Sequence, residues 1–260
     1  MLTAPSPPPN APLASALAPD PFKGYLDYSF DPVFKDLRLG WFPWVGSGFS
    51  ASACRTIILG ESIYLYKTAA GLEKDRARIE APDSLRKRHL THGIEAKFKS
   101  RYVRNFERAV FQKVKPNRGE REKLWTEVIY HNLAPKLLGE LSHRPTYEHY
   151  QDGWRAFLKL VPAVGATHCI AYGHEKVKVR ALLSVLKDHP EVELLEKLSL
   201  PVVGRKAVPV AVSLRIASQQ LDILFIGHPS RAFSWKKWGA VMREQGMLLG
   251  PPAAAAVPGA

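Results

Sequence analysis

Residues 55–64 read RTIILGESIY. From Arg55 to Gly60 a short apolar run stops at glycine, the pattern of a strand buried on both faces rather than one alternating toward water. A loop is expected to follow, opening with Glu61-Ser62. Further on, Thr167 to Gly173 (THCIAYG) reads as a second core strand, and Val208 to Leu214 and Leu221 to Ile226 as further ones. Helical spacing fills the intervals. Thr146 can cap a helix in which Tyr150, Trp154, Phe157, Leu158 and Val161 recur on one face. A later helix carries Val179, Leu182, Leu183 and Leu186, and Ser234 is placed to cap a last one with Trp235, Trp238 and Val241 inward. Trp125 to Ala134 is ambiguous between helix and strand. Strands alternating with helices predict an α/β fold, its mostly parallel sheet covered on both faces and its ligands received beyond the carboxyl ends of the strands. The segments that leave strand ends most abruptly are Gly60 to Tyr64 and Gly227 to Ser230, which makes them the places to look for chemistry.

A chain of 260 residues can bury one sizeable core. The expected folded body is one domain from Pro21 to Leu249, between a flexible Pro/Ala-rich leader (1–20) and a similar tail (250–260). With 46% hydrophobic and 23% charged residues the composition is that of a globular protein. No apolar run approaches the roughly 20 residues of a membrane helix. Prolines 5, 7, 8, 9, 12 and 19 and the lack of a basic start argue against a signal peptide. Cys54 and Cys169 alone make neither a disulfide framework nor a zinc spacing, so a reduced, cytoplasmic location is expected. The net charge of +13 favours polyanionic partners through counterion release. Between Lys67 and Lys123 there are 17 Lys or Arg against 8 Asp or Glu, a segment read as helices and loops whose charge fits a solvated face equally well.

Three motifs follow one another in order: Gly60-Glu61-Ser62-Ile63-Tyr64, Asn132 near mid-chain, and His228-Pro229-Ser230. Pro43-Trp44-Val45-Gly46 precedes them, and Trp125 to Asn132 (WTEVIYHN), Arg144-Pro145-Thr146 and Tyr172-Gly173 lie between. In this set, spread from about Trp41 to Glu244, the chain resembles the uracil-DNA glycosylase superfamily, and most of all a bacterial branch of glycosylase-like proteins. The resemblance implies a three-layer α/β/α fold with a central, mostly parallel, four- to five-stranded sheet. It also implies a monomeric, cofactor-free, metal-free DNA glycosylase of base excision repair. Such an enzyme flips uracil or a related deaminated or modified base out of DNA, single- or double-stranded, and hydrolyses its N-glycosidic bond to leave an abasic site. Two alternatives stay open: a weak or inactive DNA-binding scaffold on the same fold, and a glycosylase aimed at modified bases of phage DNA.

The resemblance assigns roles residue by residue. His228 is the expected catalytic donor to the departing base, against a histidine that merely pins a turn. Asn132 is the expected base reader, since its amide sets a donor beside an acceptor; the competing role is a turn or cap before Pro135. Ser62 stands where the best-known branch has the Asp that positions water, and a hydroxyl is no carboxylate base. Glu61 then holds water or the sugar, or is structural. Tyr64 either excludes the thymine methyl group or belongs to the core, and Gly60 brings backbone close to the base. Phe49, Phe98 and Phe106 compete to stack on the base, with Phe49 the assigned one. Ser47, Ser50 and Ser230 suit phosphate contacts, Arg231 with Phe233 a wedge into the duplex, and Lys236 and Lys237 the backbone. Two other patterns point nowhere further. His89-x-x-His92 reads as a surface pair rather than a metal site, and Gly46-Ser47-Gly48 is too short for a nucleotide fingerprint.

Overall fold

The structure, a computed structural model, describes residues 20–64, 76–139, 143–204 and 206–247. Its strands are Trp44–Val45 (β1), Thr56–Gly60 (β2), Ile63–Tyr64 (β3), Ile129–Asn132 (β4), Leu137–Leu138 (β5), His168–Tyr172 (β6), Val192–Ser199 (β7), Val210–Ile216 (β8) and Gln219–Ile226 (β9). Seven of these form one sheet in the order β1-β4-β2-β6-β9-β8-β7, while β3 and β5 pair beside it. The four inner strands β4, β2, β6 and β9 run parallel, and β1 at one edge and β8-β7 at the other are antiparallel.

The sheet is therefore wider than the four to five strands expected. Its parallel centre matches the reading, and the extra width comes from short β1 and from β7, which was not anticipated. In β7 (VELLEKLS) only Val192 is buried, so the strand lacks the apolar-polar alternation that marks a half-buried one. The run expected at 208–214 forms as Val210–Ile216, antiparallel to both neighbours. The ambiguous 125–134 segment splits, with Trp125 closing a helix and Ile129–Asn132 entering the sheet.

Side-chain alternation on the parallel strands divides the core in two. Ile57, Leu59, Cys169, Ala171, Ile223 and Phe225 face one side, and Ile58, Ile170, Tyr172, Leu224 and Ile226 the other. The α-helices are Asp31–Asp36 (α1), Ser84–His89 (α2), Arg101–Phe111 (α3), Arg118–Thr126 (α4), Tyr147–Val164 (α5), Lys176–Leu186 (α6) and Trp235–Glu244 (α7). Helices α1, α5 and α6 cover the first side and α2, α3, α4 and α7 the second, giving three layers.

Helix α5 starts at a capping box, in which the Thr146 hydroxyl accepts from the His149 N–H and His149 Nδ1 accepts from the Thr146 N–H. Ser234 precedes α7 without a side-chain cap, and Trp238 is the indole that helix buries, Trp235 and Val241 being only half-buried. The basic run is not all solvated face. Arg86 is fully buried, donating to the Asp31 carboxylate at 2.5 and 3.1 Å and to the Pro43 carbonyl at 2.8 Å, so it bolts α2 to α1 and to the Pro-Trp segment. No helix among the described residues is long and apolar enough to cross a membrane.

From β2 the chain moves first to β4 on one flank and then to β6 on the other. Loops leaving adjacent strand ends in opposite directions open a crevice there.

A candidate active site at the strand ends

A cavity of about 450 Å³ occupies that crevice, and Asn132 at the end of β4 and His228 just beyond β9 both line it. Gly60, Glu61, Ser62 and Tyr64 line it as well. Gly60 stands opposite Asn132 in the β2–β4 register, and a Cβ on it would lie 2.5 Å from both Asn132 Oδ1 and the Tyr130 hydroxyl. Any larger residue there would displace the Asn132 amide or the Tyr130 hydroxyl.

The geometry around His228 fixes its proton. Nδ1 accepts the Ser230 backbone N–H at 3.2 Å and lies 2.8 Å from Ser230 Oγ. A backbone amide can only donate, so the neutral ring carries its hydrogen on Nε2. Burial pushes the imidazole down to about 4, so it is uncharged at neutral pH. The Asn105 amide on α3 holds the loop by donating to the Pro229 carbonyl at 2.7 Å. At Gly227 a Cβ would stand 2.8 Å from the Trp238 indole, so α7 presses on the other side.

Glu61 is 4% exposed and saturated with donors. Its Oε1 accepts from Arg144 Nη2 at 2.7 Å, the Tyr150 hydroxyl at 3.0 Å and Lys178 Nζ at 3.0 Å, and Oε2 accepts from the Tyr64 hydroxyl at 2.7 Å. Burial alone would raise this carboxyl, but the Lys178 ammonium, the Tyr64 hydrogen bond and Arg144 outweigh it and hold the pKa below the ordinary value. The group is thus a fixed charge rather than a proton acceptor. Fully buried Lys178 completes its set with the Tyr172 carbonyl at 2.9 Å and Glu175 at 3.1 Å, three acceptors for three N–H groups. Gly173 adopts φ +93°, and a Cβ there would come within 2.2 Å of both Lys178 Nζ and Glu175 Oε2, which accounts physically for the Tyr172-Gly173 pair. The Ser62 hydroxyl donates to the Lys136 carbonyl.

Several assignments change on this geometry. Phe49 lies wholly in the core on the α5 side of the sheet, edge-on to Phe30, and does not line the cavity. Phe98 is exposed, and Phe106 is buried against Trp125 and Tyr172. The aromatic rings that do line the cavity are Tyr64, Tyr102, Tyr130 and Tyr172. Phe233 stacks flat on Trp238 at 5.9 Å, so it packs against α7 rather than standing free as a wedge. Ser230 and Arg231 line the cavity; exposed Ser47 and Ser50 do not, the Ser47 hydroxyl donating to the Gly24 carbonyl. Gly46 is instead a packing glycine, since a Cβ on it would lie 2.3 Å from the Thr126 carbonyl oxygen. Lys236 and Lys237 are exposed, with the Lys236 ammonium 5.5 Å from the Trp235 ring centre. His89 is the clearest correction, because it is no surface residue but is 1% exposed and lines the cavity.

The sequence reading gives no site role to Lys178, Tyr150 or Tyr172. One signal for Lys178 was present. It shares its helix face with Ala181, Leu182 and Val185, so a charge sits on an apolar stripe. Among the described residues no three His, Cys, Asp or Glu side chains gather as a metal site. No protein-family model matches the chain, and no curated protein matches it either.

Proposed function

We propose that this chain is a monofunctional DNA glycosylase of the uracil-DNA glycosylase type, acting on uracil or a related base flipped out of DNA. The observation that carries the reading is that Asn132 and His228, from distant parts of the chain, line one cavity beside the Gly60 to Tyr64 turn. In this reading the flipped base lies against Asn132, whose amide matches one edge of a uracil-like ring and mismatches cytosine. His228 donates from Nε2 to a base oxygen as the bond to C1′ breaks and the electron pair leaves with the base. Water then bonds to C1′ and its proton passes to the departed base anion, which leaves as the neutral base. Neutral His228 suits this role, because it stabilises the departing anion without the cost of burying a cation. Arg88, Arg101 and Arg231 also line the cavity, and guanidinium groups at its wall suit contacts with the phosphates flanking a flipped nucleotide.

A scaffold reading is favoured by one observation. The Ser62 hydrogen is committed to Lys136, and Glu61 is held by four donors, so neither is a free general base. Hydrolysis then depends on leaving-group stabilisation alone and is expected to be slow. Labelled single strands and duplexes bearing uracil, hypoxanthine, xanthine or hydroxymethylated bases, incubated with protein and cleaved by alkali, decide between the two. Scission above the protein-free control supports hydrolysis. Tight, salt-sensitive binding without scission supports the scaffold and sinks the enzyme reading.

A further inference from the structure

The helix layer leaves part of the sheet's far edge uncovered. On the side that α5 and α6 cover, Val210 and Val212 of β8 point toward the core, and Ser199 and Lys197 of β7 stand opposite them on the same face. Val212 is buried, whereas Lys197 and Ser199 are exposed. Between this bare face and α6 lies a second cavity, an open groove of about 550 Å³. It adjoins the strand-end edge, since His174 and Glu175 on its wall follow Gly173 directly and Val210 pairs with Phe225 near the end of β9.

Four cations rim this groove. Lys176 and Arg180 recur at helical spacing on α6, Lys197 comes from β7, and Lys206 from the turn bridged by Val203 and Ala207. Among the described residues none of the four is in an ion pair. Glu175, the one acid on the wall, is already matched by the Lys178 ammonium at 3.1 Å. Unpaired like charges around one groove repel one another, and an anionic occupant relieves that repulsion. The floor is aliphatic, formed by Val179, Leu183, Val208 and Val210, with Val208 37% exposed. Apolar surface rimmed by charge marks a docking site. Phosphates would answer the rim but leave the floor unfilled. Single-stranded nucleic acid is gripped by bases stacked on aromatic rings, and the one ring on this wall, the His174 imidazole, is already stacked on Trp238 at 6.1 Å. Carboxylates alternating with aliphatic side chains answer both. Neither end of this chain supplies them, because residues 1–19 and 248–260 contain no Asp or Glu.

We propose that the groove between α6 and β7 docks an acidic peptide segment of another protein, its carboxylates paired with Lys176, Arg180, Lys197 and Lys206 and its aliphatic side chains on the floor. The groove shares no lining residue with the strand-end cavity, so this inference stands apart from the glycosylase reading.

The test is fluorescence anisotropy of the full chain with a labelled peptide in which Asp alternates with Leu. Its controls are a peptide of Asp alone, a peptide alternating Ser with Leu, and a thymidine oligonucleotide, all at about 150 mM salt. The Asp-Leu peptide should bind about tenfold or more tighter than either control peptide, because each control answers only the rim or only the floor. Arg180→Gln combined with Lys197→Gln should weaken that peptide about tenfold, and Val208→Ser about threefold. The oligonucleotide, which has other basic surface to meet, should lose about twofold at most in the same variants. All three side chains are exposed, so an unchanged melting temperature is expected and checks the fold. Equal affinity for the Asp-Leu peptide and either control peptide overturns the proposal, as does its failure to bind or its indifference to the substitutions. If the oligonucleotide is weakened as much as the peptide, the groove is a nucleic-acid track and the proposal is likewise overturned.

Discussion

At the scale of single residues, the chemistry proposed here turns on one imidazole hydrogen. His228→Ala should lower base release by roughly 10²–10³-fold, the usual effect of removing one donor to a developing anion, while DNA binding changes by only a few-fold. Comparable losses in both would return His228 to a structural role. Because the ring titrates near 4 and not 6.5, the pH profile of release should show no histidine step between pH 6 and 7. Glu107 gives a second prediction. Buried and accepting the Trp125 indole N–H at 2.9 Å, it is raised by burial to about 7. A carboxyl raised above its unfolded value contributes stability that is complete below about 4.5 and lost as pH climbs through 7. Glu107→Gln keeps the acceptor and removes the charge. It should therefore be more stable than wild type at pH 8, by about 2–3 kcal/mol at most, and lose that advantage by pH 5. Denaturant melts at the two pH values check this. That His228 and Asn132 meet at one cavity was legible in the order of the motifs. Lys178 was hidden because one lysine among 37 basic residues carries no mark except the company it keeps on its helix face.

At the scale of elements, the loop after β2 and the start of α6 are tied by a buried charge pair. Lys178→Met leaves the Glu61 carboxylate buried with Arg144 as its only cation among the described residues and should cost about 3–5 kcal/mol. Adding Glu61→Gln should restore part of that, because the two effects are coupled; a double variant no more stable than the single would refute the pairing. Helix α3 acts at a distance on the other loop. Asn105→Ala frees the Pro229 carbonyl and should reduce base release about tenfold with DNA affinity nearly unchanged. Elements read from pattern when both faces are buried: β2, β6 and β9 are recognisable as mainly apolar runs, that of β9 interrupted by Asp222. Strand β7 was invisible because its partner β8 holds it by backbone bonds that leave no hydrophobic trace. Phe49 was misplaced for a related reason, since an aromatic beside glycine looks the same in a core as in a binding site.

At the scale of the whole molecule, the excess of positive charge sets how binding responds to salt. Affinity for any DNA should fall linearly in log–log form, with a slope of roughly −0.7 to −0.9 per phosphate contacted. A titration series between 50 and 200 mM salt measures it, and a flat response would exclude DNA as the partner. The architecture itself, helices on both sides of a parallel centre, was legible throughout; its full width was not. That width leaves β7 as an outer strand with no neighbour among the described residues, and Leu194 and Leu198 on it are 43% and 44% exposed. Unsatisfied amides and carbonyls along eight residues are a template on which a second molecule can zip. Glu193, Glu196 and Lys197 interrupt that template, and the register shifts between Leu194 and Glu196. Shelf life in concentrated solution is therefore guarded by two or three surface charges far from the strand-end cavity, and neutralising Glu196 would show first as turbidity, with the melting temperature of the dissolved molecules unchanged.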